Sequence, residues 1–214
     1  MKIEIENILP MDIEKRSFEI ITDELGEVKL DPKHEPIIKR AIHTAADFEY
    51  VNNLYFSEGA VDKAITAIKN GATIITDTQM VKAGVNKKVV AKFGGEVICF
   101  MCDDDVAKEA KERGVTRAIV SMERASKIDR PLIFAIGNAP TALIKLYEMI
   151  ESGLLKPELV IGVPVGFVNV VESKELIIES NVTSIVARGR KGGSNIAAAI
   201  CNALLYMASE GERE

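Results

Sequence analysis

Tryptophan is absent from this 214-residue chain, aromatic residues make up only 5% of it, and it holds three cysteines and two histidines. So few rings argue against the stacked aromatic platforms that hold single-stranded nucleic acid. Three cysteines cannot build a disulfide framework. Cys99 and Cys102 have C-x-x-C spacing, which could mean a redox pair or half a metal site, but no second such pair accompanies them and the chain has only two histidines. Asp103, Asp104 and Asp105 follow directly, and their charge would raise a thiol pKa, so the motif reads as a buried strand end before an acidic helix start. Long apolar runs are missing too: residues 132–136 and 159–163 are far too short to span a bilayer. Residues 1–11 show no signal-peptide pattern, and the expected location is the cytoplasm. Positive charge is also in deficit. At a formal net charge of −5, the overall field repels nucleic acid and anionic membrane, so neither is an expected partner and an anionic ligand must be caught locally.

What is present is an ordinary globular composition, 47% hydrophobic and 28% charged, in a length that fits one domain, 1–214. The recurring unit is a short apolar run, a turn rich in Gly, Pro or Asp, and then an amphipathic stretch of helical length. That alternation signals βαβ units. Strands are predicted at 73–76, 96–100, 132–136, 159–163 and 183–187, rich in Ile and Val and short enough to be covered on both faces. Helices are predicted at 58–70, 104–113, 116–127, 141–152, 168–179 and 194–208. Right-handed crossovers then give a three-layer α/β/α fold, Rossmann-like, with a mostly parallel central sheet. The N-terminal quarter differs: a helix from Pro10 to about Leu25, a Pro-bounded loop over 31–36, a second helix over 37–45, and an edge strand over 49–56. The tail, 210–214, is expected to be polar and frayed.

Ligands of open parallel sheets bind beyond the carboxyl ends of the strands, so the residues after each strand matter most. They are Asp77 to Val81, Gly137 to Thr141, Pro164 to Phe167, and Arg188 to Ser194, all opening onto one rim. In the last of these, Gly189, Gly192 and Gly193 free the backbone to turn its N–H groups toward a ligand. Ser194 opens an Ala-rich helix, and Arg188, Arg190 and Lys191 add positive charge. A helix N-terminus with basic neighbours attracts phosphate or carboxylate. The segment matches neither the P-loop nor the G-x-G-x-x-G pattern, so it carries no nucleotide signature. Taken singly, Arg16, Arg117 and Lys174 are helix residues of the kind usually just solvated, and His34 reads as a solvated loop side chain. His43 sits at the end of a short helix beside its apolar face, where a histidine is most often packed or solvated. Asp47, four residues on, would orient the imidazole if the helix ran one more turn.

Five blocks in order resemble one family along nearly the whole chain: residues 13–18 (IEKRSF), 40–47 (RAIHTAAD), 77–84 (DTQMVKAG), 164–174 (PVGFVNVVESK) and 189–204 (GRKGGSNIAAAICNAL). The family is that of precorrin-8X methylmutase, also called cobalt-precorrin-8 methylmutase, isomerases of cobalamin biosynthesis. The resemblance implies a methyl shift from C11 to C12 of a contracted tetrapyrrole, completing the corrin chromophore with no external methyl donor. It implies that His43 is the catalytic general acid. By the same match, Arg16, Ser17, Asp77, Met80, Gly84, Arg117, Arg190, Lys191, Gly192, Gly193 and Ser194 bind substrate. Thr116-Arg117-Ala118 departs from the family pattern, which has Ser after the Arg, and this puts that contact in question.

The many carboxylates of such a macrocycle suit a basic rim on an acidic protein, and its flat ring suits Met80, Val81, Val165 and Phe167. The HTAAD form at 43–47 looks more like the cobalt-bearing members. No cofactor is expected and no protein metal site; cobalt would arrive inside the substrate. The family also implies a homodimer. Two rivals remain: a corrinoid-binding or carrier protein without chemistry, and a phosphate-ligand-dependent enzyme using the loop from Gly189 to Ser194.

Overall fold

The structure, a computed structural model, describes residues 5–211. The chain enters through a 3-10 turn at Pro10–Asp12 and helix α1 (Ile13–Leu25), then α2 (Glu35–Ala45), the single turn α3 (Tyr50–Asn53) and strand β1 (Leu54–Phe56). The α/β body follows as α4 (Ala60–Lys69), β2 (Thr73–Thr76), α5 (Gln79–Gly84), α6 (Lys87–Lys92), β3 (Glu96–Ile98), α7 (Asp104–Arg113), α8 (Arg117–Ala125) and β4 (Leu132–Ile136). It ends with α9 (Pro140–Glu151), β5 (Leu159–Gly162), α10 (Val170–Glu179), β6 (Ser184–Ala187) and α11 (Ser194–Ala208). No helix among these is long and apolar enough to cross a membrane.

The six strands lie in the order β1-β6-β5-β4-β2-β3, every pair parallel except the edge pair of β1 with β6. The alternation of side chains along each strand divides the core between two helical layers. Ile74, Ile133, Ala135, Leu159, Ile161, Ile185 and Ala187 face the layer that includes α2, α4 and α11. Ile75, Leu132, Phe134, Ile136, Val160 and Val186 face α8, α9 and α10. The expected three-layer α/β/α arrangement with a mostly parallel sheet is therefore the observed one. Successive parallel strands run outward from β2 to β3 and then back across it to β4, so the topological switch point lies between β2 and β4.

The N-terminal quarter departs from expectation. Of the strand expected over 49–56 only the last three residues pair; the preceding four close a helical turn, with Asn53 N–H donating to the Glu49 carbonyl at 3.0 Å. Pro36 lies inside the first turn of α2 rather than in a loop, a place where its missing N–H costs nothing. His34, expected to be a solvated loop side chain, is half-buried and stacks on Phe56, ring centroids 3.9 Å apart. Helices α5 and α6 were not expected. Each is six residues long, too short for periodicity to show, and each is announced only by its cap: Thr78 Oγ1 accepts from Val81 N–H, and Asn86 Oδ1 from Val89 N–H. In the tail, residues 212–214 lie outside the described residues.

Candidate active site

Helices α2 and α11 lie antiparallel. Arg40, in the middle of α2, stacks on Tyr206 near the end of α11, while Asp47, just beyond α2, reaches Lys191, just ahead of α11. The end of α2 that carries His43 therefore lies toward the carboxyl ends of the strands. The His43 ring is exposed, 5.4 Å from the Phe18 ring, and its nitrogens have no hydrogen-bond partner among the described residues. His43 and Ser17 line one cavity of about 230 Å³, walled by Ile20, Ile21, Ile42 and Phe48. Asp47 does not orient the imidazole. Ala46 turns left-handed (φ 50°) and ends the helix, so the carboxylate points instead to Lys191 Nζ at 2.6 Å. That hydrogen bond holds the Asp47 carboxyl below the usual carboxylate range.

The switch-point crevice is bridged by Asp77. Its carboxylate is fully buried and accepts the backbone N–H groups of Gly137 (2.9 Å), Asn138 (2.8 Å) and Ala139 (2.6 Å). Burial pushes this carboxyl up in pKa and the three amides pull it back down, burial being the larger effect. Asp77 thus spends both oxygens on holding the β4–α9 loop. That loop rests on the start of α11: a Cβ at Gly137 would lie 2.7 Å from Ser194 Cα. Ser194 Oγ shares a hydrogen bond of 2.9 Å with Thr78 Oγ1, which joins the third loop to the other two. Gly84 serves the same junction from below, since a Cβ there would come within 2.8 Å of Ala198 Cβ on α11.

The loop from Gly189 to Gly193 is pinned on two sides. Gly193 N–H donates to Val163 O at 2.8 Å and Gly166 N–H to Arg190 O at 3.2 Å, tying it to the β5–α10 loop. Gly192 has φ 155° and approaches Val163 so closely that a Cβ would sit 2.1 Å from its carbonyl oxygen, so no side chain fits. On the other side Lys174, fully buried on α10, donates from Nζ to Gly189 O (2.7 Å) and Lys191 O (2.8 Å). Burial pulls this ammonium down to about 8. Read from sequence as a solvated lysine, it is the residue that single-residue reasoning missed. The signal was its register, in line with the buried Val170 and Ile177 on the apolar face of α10.

The basic side chains expected to meet a ligand divide into engaged and free. Lys191 is taken up by Asp47 and by Glu49 at 3.0 Å, and Arg16 by Glu6 at 3.1 Å and Glu19 at 3.6 Å. Arg117, exposed at the start of α8, and Arg190, stacked on the Phe167 ring at 5.3 Å, have no ion pair among the described residues. On the loops after the strands Met80, Val165, Phe167 and Val168 are 69%, 48%, 79% and 80% exposed, and Phe167 among them carries the Arg190 guanidinium. Among the described residues no group of three or more His, Cys, Asp or Glu is placed to hold a metal ion.

Comparison with known proteins agrees with the fold. The family model described as precorrin-8X methylmutase matches residues 12–207. The chain is 46% identical to a cobalt-precorrin-8 methylmutase of Priestia megaterium, over 95% of this chain and 91% of that one. It is 38% identical to a precorrin-8X methylmutase of Pseudomonas aeruginosa, over 90% and 93%. The crystal structure of a precorrin-8x methyl mutase from Thermus thermophilus superposes with a TM-score of 0.85 at 39% identity, covering 94% of this chain and 98% of that one. A matching family model over most of the chain, close relatives of full length and a shared sheet place the protein in the precorrin-8X methylmutase family, as a methylmutase and thus an isomerase.

Proposed function

We propose that this chain, acting in the cytoplasm as a homodimer of single-domain subunits, moves a methyl group from C11 to C12 of precorrin-8X or cobalt-precorrin-8, giving hydrogenobyrinic or cobyrinic acid, with His43 as general acid. The observation that carries this reading is the shared cavity of His43 and Ser17, in which the imidazole nitrogens have no hydrogen-bond partner among the described residues. At about 230 Å³ that cavity falls short of the roughly 300–1,000 Å³ of pockets that enclose a whole ligand. It takes an edge of the macrocycle, and the flat ring extends over the exposed apolar side chains of the rim. Burying that apolar surface favours a second subunit placed over it.

The chemistry asks little of the protein beyond a proton and a shape. The migrating methyl group leaves C11 as it bonds to C12, so no external donor, metal or organic cofactor takes part. An imidazole, the side chain whose ordinary titration lies nearest working pH, donates to a ring nitrogen while the conjugation rearranges and recovers the proton afterwards. The higher identity to the cobalt-precorrin-8 relative favours the cobalt-bearing substrate. His43→Ala should still bind the corrinoid and lose turnover by about 10²–10⁴-fold, the range for removing a general acid. The visible absorption change on conversion of metal-free and cobalt-loaded substrate reads this directly. Normal turnover by the variant refutes the role of His43.

A further inference from the structure

We infer that Lys174 is a positioning residue of the corrinoid site: its buried ammonium group holds the carbonyls of Gly189 and Lys191 and so fixes the N–H groups of Arg190 and Gly192 as two donors for a ligand carboxylate. This rests on the function proposed above and assigns part of its site. In a trans peptide the C=O and N–H point in opposite directions, and the described residues contain no cis peptide bond. The carbonyls of Gly189 and Lys191 point at Lys174 Nζ, at 2.7 and 2.8 Å. The N–H groups sharing those peptide units, of Arg190 and Gly192, therefore point away from it. Neither has a hydrogen-bond partner among the described residues, whereas Gly193 N–H beside them is satisfied by Val163. Both free donors, with Lys191 between them, therefore lie on the side of the loop away from Lys174, where an anion can accept from them.

The charge of Lys174 points the same way. The side chain is fully buried yet forms no ion pair among the described residues; two neutral carbonyls receive it, and Glu175 acts only at a distance. A buried cation without an acid partner is costly. An anion on the opposite face of the loop offsets that cost once substrate is bound. Lys174 also removes slack: with Gly189, Gly192 and Gly193 all at positive φ, the free loop has much conformational entropy to lose.

The test uses the full chain. Lys174→Met keeps the length of the side chain and removes both donors and charge. It should raise KM by about tenfold, the equivalent of one charge-assisted hydrogen bond, with kcat changed less than about threefold. Hydrogenobyrinic acid should bind about tenfold more weakly, and a fully amidated corrinoid should change less than about twofold. Unchanged KM and affinity in a folded variant overturn the assignment. Should Lys174→Met fail to fold, amide exchange of the wild-type protein decides. The amides of Arg190 and Gly192 should exchange fast alone and become protected by saturating hydrogenobyrinic acid. A wild-type protein that binds the corrinoid with both amides unprotected overturns the role of Lys174 only; one that neither binds nor converts it overturns the function itself.

Discussion

Asp77→Asn separates a carboxylate that holds a loop from one that meets substrate. In the native site both oxygens are occupied, by amides at 2.9, 2.8 and 2.6 Å. An asparagine can keep its carbonyl oxygen toward Asn138 and Ala139 but must then turn its NH₂ toward Gly137 N–H. That leaves a buried donor facing a donor, at about 1–3 kcal/mol, and the two remaining bonds lose their charge assistance, roughly half their strength. Relief of the buried charge offsets part of the loss. The expected net destabilisation is about 2–4 kcal/mol, a drop in Tm of roughly 4–16 °C for a chain of this size. Because Gly137 lies against Ser194, the loosened loop should also raise KM. Urea unfolding at unchanged m-value measures the first effect and steady-state turnover the second. A variant that raises KM while losing less than about 0.5 kcal/mol would refute the argument, since a carboxylate aimed at substrate gives that pattern.

Two further perturbations probe the loop before α11. Gly192→Ala drives a methyl group to 2.1 Å from the Val163 carbonyl oxygen and should cost about 2–4 kcal/mol and most of the activity; parental stability by thermal unfolding would show that the close approach is not obligatory. Lys191→Met removes the cation that holds the Asp47 carboxyl below its ordinary range, so the carboxyl carbon of Asp47, followed by NMR, should titrate at higher pH than in the wild type. A depressed folded-state pKa means that the pair supports the fold above the unfolded carboxylate range and is lost as pH falls through the folded value, so the variant should lose this part of its acid sensitivity. An unmoved Asp47 titration would refute the pairing.

Much of the fold was legible because its physics is local. The buried strands at Thr73–Thr76, Leu132–Ile136 and Leu159–Gly162 are short Ile/Val/Leu-rich runs between turn residues, and α7 to α11 carry periodic apolar faces long enough to show. Where period and length were insufficient the reading failed. Tyr50 and Asn52 alternate as strand residues do, yet the local i to i+4 bond wins over pairing. The six-residue helices α5 and α6 have caps but no period.

The sequence by itself determined the family and the set of loops that open onto the rim, because motif order and the position of each loop after its strand are properties of the chain. It also put His43 forward as the candidate general acid, through the blocks on either side of it rather than through its own helix. Only the tertiary structure decided which side chains are free to meet a ligand. Lys191 and Arg16 are engaged by acids from distant or adjacent turns, Arg190 and Arg117 by none among the described residues, and Asp77 and Lys174 face inward to hold loops in place. The reason is that charge pairing and burial depend on distances between segments far apart in sequence: Lys191 and Asp47 stand 144 positions apart, and Asp77 and Gly137 stand 60. No local pattern encodes those distances, and folding alone sets them.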